Sequence, residues 1–271
     1  MINVNSSSQQ ADAHLLRFSD GKIIMIDVGH GSTANSALIP WLVEHHVEGV
    51  DTVFITHPHK DHYGGLVPML EHNITIGEVY FNLPDRQVCD REIPWGCDYG
   101  DILSVRNTLE HHGVKIRLAE AGQYFEFGKN IGLEILYGFD GVHTPVGTTD
   151  INDMSLVMLM QSGNKKILFT GDLNRAIGTW LAQHGQNLKA DILKVPHHGT
   201  ESTVPDSFFD AVNPSAGLVP APRALWYSDR SRRIRNWFKK KGIPVYVNGE
   251  VGTVQVIIQN NNMEIIPGPQ K

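Results

Sequence analysis

The segment His57-Pro58-His59-Lys60-Asp61-His62 packs three imidazoles and a carboxylate into six consecutive positions, directly after the apolar run Asp51–Ile55. In extended backbone, residues two apart project to the same side, so His57 and His59 can converge on one metal ion. Where the chain turns into the helix that follows, Asp61 and His62 swing together and can serve a second ion beside the first. The plain alternative is a polar turn whose histidines face water. So many lone pairs at the end of a buried strand are costly, however, without a cation to share them.

Two further apolar runs end in ligand-type residues. Ile167-Leu168-Phe169-Thr170-Gly171-Asp172 closes on a carboxylate, and Ile192-Leu193-Lys194-Val195-Pro196-His197-His198-Gly199 closes on two histidines. A carboxylate has two oxygens and can bridge two cations, which suits Asp172, although an aspartate after a glycine is also an ordinary helix N-cap. Either His197 or His198 can complete the second site. Taken singly, each segment has a bland structural explanation; three apolar strands that all end in metal-type ligands point to a metal centre.

Strand ends of this kind need an α/β framework to bring them together. Ala13–Phe18 and Lys22–Asp27 read as strands around the turn Ser19-Asp20-Gly21, and Asp51–Ile55 as a buried strand. Further strands are expected over Lys115–Leu118, Tyr124–Phe127, Gly132–Tyr137, Ser155–Met160, Lys166–Thr170, Ile192–Val195, Pro244–Val247 and Thr253–Ile258. Helical rhythm runs over Ser36–His46, Gly65–His72, Asp101–His112, Arg175–His184, Pro205–Val212 and Ser231–Lys241. Asp85–Tyr99 and Gly138–Asp153 read as irregular, the first long enough to serve as a functional lid. No repeat or linker separates two cores, so the reading is a single α/β domain over residues 1–271.

With 271 residues, 41% hydrophobic and 19% charged, the chain can bury a sizeable core, which excludes disorder, collagen and coiled coil as global descriptions. A formal net charge of −6 argues against a general polyanion binder but allows a local basic patch. No run approaches the ~18 apolar residues of a membrane helix, and the opening Met1-Ile2-Asn3-Val4-Asn5 has no signal-peptide character. The expectation is a cytoplasmic protein with Cys89 and Cys97 reduced; one local bridge between them, and a mature secreted form, stay open.

His57-x-His59-x-Asp61-His62, Thr170-Gly171-Asp172 and the His197-His198-Gly199 turn resemble the metallo-β-lactamase-fold hydrolases. Ile26-Asp27-Val28-Gly29 and Asn152-Asp153-Met154-Ser155-Leu156-Val157 are similar to one branch, the metallohydrolase domain of the ComEC/Rec2 competence proteins. The resemblance runs from about Ala13 to Ile258. It implies a four-layer αββα sandwich with the metal centre at one edge, between the sheets. It also implies two divalent ions, with His57 and His59 on the first, Asp61 and His62 on the second, Asp172 bridging, and His197 or His198 closing a site. Asp27 would be an acceptor that orients a ligand imidazole. Two departures stand out. Many relatives carry a further histidine before the Thr-Gly-Asp strand, where this chain reads Asn152-Asp153 with His143 further back. Where the branch often shows Tyr-Gly-His-Pro, this chain reads Tyr227-Ser228-Asp229-Arg230, so Asp229 replaces that histidine or the position is vacant.

The expected activity is a binuclear metal-dependent hydrolase, a phosphodiesterase or nuclease using a metal-bridging hydroxide held by Asp61 or Asp172. With His197 placed on the metal, His198 is the spare imidazole that protonates the leaving group, and the two can exchange these parts. Zinc suits the imidazole-rich set; manganese suits a site completed by water and carboxylates. The helix Ser231–Lys241 carries Arg232, Arg233, Arg235 and three lysines, and reads as a solvated face or as a phosphate-attracting patch for nucleic acid. The alternatives are a small-molecule hydrolase, acting on a lactone, thioester, β-lactam or phosphorylcholine ester, and a non-catalytic metal- or nucleic-acid-binding module.

Overall fold

Alternation of apolar side chains along the strands builds three cores. The structure, a computed structural model, describes residues 1–92, 96–139, 144–147, 149–184 and 187–268. One sheet runs, in spatial order, β1 (Ala13–Arg17), β2 (Ile23–Val28), β3 (Gly49–Ile55), β4 (Thr75–Phe81) and β5 (Lys115–Arg117). It is antiparallel at β1–β2 and parallel from β2 onward. The second sheet is assembled from β6 (Tyr124–Gly128), β7 (Ile131–Tyr137), β8 (Val157–Ser162), β9 (Lys165–Phe169), β10 (Ile192–Lys194), β11 (Ala216–Pro222) and β12 (Val245–Val247). Its order is β12-β11-β10-β9-β8-β7-β6, antiparallel from β6 to β9 and parallel from β9 to β12. A separate hairpin, β13 (Val254–Gln259) and β14 (Asn262–Pro267), adds Val256, Ile258, Met263 and Ile265 to the space between the sheets.

Because successive strand residues point to opposite faces, β2 sends Ile24 and Ile26 inward to meet Met158, Met160, Phe169, Ile192 and Leu218 of the second sheet. Met25 points the other way, and Val28 joins it because the positive φ of Asp27 breaks the alternation. Both enter a layer closed by α1 (Leu66–Glu71) and α2 (Tyr99–His111) through Leu66, Met69, Ile102 and Leu109. On the far side, α3 (Arg175–Gln183), α4 (Asp206–Val212) and α5 (Arg232–Lys241) cover the second sheet with Ile177, Leu181, Phe208, Phe209, Ile234, Trp237 and Phe238. The layers are therefore helix, sheet, sheet, helix, as the αββα expectation required. Among the described residues, no helix is long and apolar enough to cross a membrane.

Three strands go unread in the sequence: β4, β11 and β14. In β11 all seven residues are buried, yet Pro220 and Pro222 read as strand breakers. The regular ladders to β10 and β12 end at Leu218 and Val219, so neither proline removes a bond from them. Asp85–Tyr99 also holds more order than expected. Asp85 caps a short helix, Arg86–Asp90, by accepting from the Gln87 and Val88 amides. Cys89 and Cys97 are bridged rather than reduced, and both are buried in the helical layer of the first sheet. The expectation of free thiols rested on compartment alone; the fold of the loop brings the two together.

Candidate metal centre

The ligand-type residues leave the C-terminal ends of β3, β9 and β10, and parallel pairing within each sheet keeps neighbouring ends side by side. After β3 the chain stays extended at His59 and then makes the helical turn Lys60–Tyr63, which carries Asp61 and His62. His62 Nε2 lies 3.5 Å from Asp172 Oδ1 and 3.8 Å from Asp61 Oδ1. His198 Nε2 lies 3.0 Å from Asp172 Oδ2 and 3.4 Å from Asp61 Oδ2. One donor atom from each of these four residues falls within 4.8 Å of the others. A tetrahedral zinc site with ligands at 2.0–2.1 Å has edges of about 3.3–3.4 Å, so the spacing suits a single ion. Both Nε2 atoms are buried without a hydrogen-bond partner among the described residues.

The other nitrogen of each ring is already committed. His62 Nδ1 donates to Asp27 Oδ2 at 2.8 Å, and His198 Nδ1 donates to the Pro220 carbonyl at 2.8 Å. Neither acceptor has a hydrogen to give, so each Nδ1 keeps its proton and each Nε2 is the atom that faces the carboxylates. Burial would lower the pKa of both rings, but Asp172 and its neighbours hold them well above the usual imidazole range. His57 Nδ1 is 3.1 Å from Thr56 Oγ1, whose own proton goes to Asp27 Oδ2 at 2.8 Å. His59 Nε2 donates to Glu92 Oε2 at 2.7 Å. The remaining nitrogens, His57 Nε2 and His59 Nδ1, lie 3.0 Å apart, within hydrogen-bonding distance, and the tautomers of the two rings decide which one donates. A divalent ion bound by both nitrogens would take the place of the proton they share. Imidazole nitrogens converging beside two carboxylates fit a divalent-metal centre.

Backbone and charge are shaped around this set. Asp27, His197 and His198 sit at φ of 55°, 48° and 52°, conformations that cost non-glycine residues roughly 1–3 kcal/mol each and persist where surrounding contacts over-determine them. Gly171 has φ 49°, and a Cβ there would lie 2.6 Å from Ser155 Oγ and 2.9 Å from Thr56 Cβ, so glycine is required for the turn into Asp172. Lys194 is buried, donating to the Gly171 carbonyl at 2.6 Å, with Asp12 Oδ2 at 2.5 Å and Asp172 Oδ1 at 3.3 Å. Burial alone would lower the ammonium pKa; Asp12 and Asp172 reverse this and raise it. Burial likewise pushes Asp172 up, but His198, His62 and Lys194 together hold it well below the usual carboxylate range.

Residues 9–78 match the family described as the metallo-beta-lactamase superfamily. ComE operon protein 3 of Bacillus subtilis (strain 168) is 23% identical over 233 residues, covering 84% of this chain and 27% of that protein. The uncharacterized protein YcaI of Escherichia coli (strain K12) is 28% identical over 232 residues, covering 82% of this chain and 26% of that protein. Over residues 9–78 the match is to a metallo-beta-lactamase superfamily domain. Its curated relatives fit a ComEC-like branch, and the chain spans about a quarter of their length, 27% and 26%. The metallo-beta-lactamase fold protein YhfI from Bacillus subtilis shares the fold, with a TM-score of 0.51 at 13% identity over 91% of this chain and 92% of that one.

Within this metallo-beta-lactamase fold, the His197-His198 pair stands in the reverse of the expected order. His198 meets the carboxylates, because the left-handed turn through both residues aims its ring back between the sheets. His197 Nδ1 donates instead to Asn174 Oδ1 at 2.7 Å. Asp229 does not replace the branch histidine: its side chain is 88% exposed and pairs with Arg232 at 2.8 Å. Asn152 sits on the turn Ile151–Met154 outside the cluster, and His143 lies outside the described residues. Of the phosphate track expected through Arg232, Arg233 and Arg235, Arg232 is exposed beside Asp229, while the other two are engaged by the chain itself. Arg233 is spent on Asp206 Oδ1 at 2.5 Å and on the Val204 carbonyl at 2.7 Å, and Arg235 on the carbonyls of Ser228 and Trp226. These half-buried guanidiniums tie α5 to its own scaffold.

Asp153 is buried, and its Oδ1 accepts the Asn174 N–H at 2.9 Å. Burial, then Asp150, pushes its carboxyl up to about 7. A folded-state value above the unfolded ~3.9 means that the folded chain keeps a proton the unfolded chain releases. This contribution therefore falls as pH rises from about 4 to about 7, and is level above. Asp153→Asn keeps the acceptor oxygen. It is expected to raise stability at pH 8 by roughly 1–3 kcal/mol and to remove that slope, measured by denaturant unfolding at several pH values. A D153N protein with the parent's slope would refute the assignment.

Proposed function

We propose that this chain is a binuclear metal-dependent hydrolase acting on a phosphodiester, in a nucleic acid or a nucleotide, through one domain that spans the chain. The observation that carries the reading is the convergence of His57 Nε2 and His59 Nδ1, 3.0 Å apart, next to the Asp61–His62–Asp172–His198 set. His57 Nε2 and His59 Nδ1 would hold one ion, Asp61, His62 and His198 the other, and Asp172 would be shared. When bound, the ions supply Lewis acidity for a phosphoryl oxygen and a water acidified toward neutral pH, zinc being favoured by the imidazoles and manganese by the carboxylates. Asp61, whose side chain is 19% exposed, would orient the attacking water. His197, its Nδ1 proton fixed on Asn174, is left with Nε2 to move a proton between that water and the leaving oxygen. Since Arg233 and Arg235 are turned inward, the substrate class rests on the centre itself and not on a basic track.

Elemental analysis after dialysis, with hydrolysis of bis-p-nitrophenyl phosphate, tests this. About two equivalents of metal and chelator-sensitive turnover are expected. No retention in zinc- and manganese-replete buffer would overturn the enzyme reading. Full loading with turnover on a lactone or thioester alone would move the chain to the small-molecule class.

A further inference from the structure

The loop between β4 and α2 supplies none of the ligands assigned above, yet it touches the centre twice. Glu92 Oε2 receives the His59 Nε2 proton at 2.7 Å, while Oε1 receives the Ile151 N–H at 3.0 Å, so both carboxylate oxygens are in use. Gly96 lies against the same ring: a Cβ there would come within 2.8 Å of His59 Nε2 and 2.9 Å of Cδ2. The Gly96 N–H reaches the Glu92 carbonyl at 3.3 Å, and the Glu92 N–H reaches the Cys89 carbonyl at 2.9 Å. The Cys89–Cys97 disulfide brackets both contact residues.

We propose that Glu92 is a positioning residue for the metal centre, held on His59 by the loop that the Cys89–Cys97 bridge closes. The inference rests on the metal-centre reading above. A carboxylate can only accept, so Glu92 fixes the His59 proton on Nε2 and leaves Nδ1 bare beside His57 Nε2. Without that acceptor the proton is free to sit on Nδ1, 3.0 Å from His57 Nε2. His59 Nδ1 would then be the donor in that contact and would offer an ion no lone pair. Glu92 thus acts by keeping one imidazole from quenching its neighbour.

Glu92→Gln tests this at constant side-chain size. The amide oxygen can serve Ile151 N–H, but its NH2 then faces His59 and drives the proton to Nδ1. Zinc affinity, measured by competition with a chromophoric chelator, is expected to fall roughly 10–100-fold for one of two equivalents. The visible spectrum of the cobalt-loaded protein should change with it. In a His59→Ala background the E92Q change should alter affinity by less than about twofold, because the partner is gone. Affinity within about twofold of the parent, or an equal loss with and without His59, overturns the proposal. If His59→Ala itself binds both equivalents as the parent does, the metal-centre reading falls and the proposal with it. Paired Cys89→Ser and Cys97→Ser substitutions in the full chain should weaken the same equivalent and leave the other. No change there overturns the part assigned to the bridge, and the measurement stands even if the E92Q protein folds poorly.

Discussion

Replacing Asp172 with Ala is expected to strip the protein of metal and to lower phosphodiester turnover by roughly 10³-fold or more, the scale on which a preorganised charge is lost from a site. Its Oδ1 and Oδ2 lie 3.5 Å and 3.0 Å from His62 Nε2 and His198 Nε2, so one substitution empties the middle of the ligand set. The fold should survive. Lys194 retains Asp12 at 2.5 Å, and no buried ammonium is stranded. Elemental analysis and turnover, with circular dichroism as the check on folding, decide the matter. A folded D172A protein that kept its metal and worked within about tenfold of the parent would remove Asp172 from the centre.

Lys194→Met has the opposite profile: a modest change in ligands and a large change in stability. Asp12, Lys194 and Asp172 form a buried ion triad, and removing its only ammonium leaves Asp12 facing, among the described residues, only the imidazoles of His62 and His198. Breaking a buried pair from one side costs about 3–5 kcal/mol. In a chain of this size that amounts to a fall of about 10 °C in the melting temperature of the metal-free protein. Adding Asp12→Asn should recover much of the loss, since the stranded charge is then gone. A K194M protein melting with the parent would show that the triad contributes nothing.

What can be read from the sequence is what lies close along the chain. His57, His59, Asp61 and His62 are legible because one strand end and one helical turn present them in order, and Asp172 and His198 because each ends its own apolar run. Asp12, Lys194 and Glu92 act through tertiary proximity. Glu92 approaches His59 from 33 positions away, and nothing local marks it. Lys194 leaves one signal, a charge inside an otherwise apolar strand, which by itself names no partner. The alternation that builds the three cores is legible in β2, β3 and β8, whereas β11 is hidden by prolines placed beyond its ladders. On α5 the charges are plain but their partners are not: whether an arginine greets phosphate or its own carbonyls depends on how the helix is rolled against the sheet.

In a zinc finger the ion makes the fold, and removing it unfolds the domain. Here each imidazole is oriented by an oxygen that the chain provides itself: Asp27 for His62, Thr56 for His57, Pro220 for His198 and Glu92 for His59. If the proposed centre binds metal, folding and metallation would be separable: the rings are oriented by the chain before any ion arrives, and the ion taken up would be set by the solution around the folded protein.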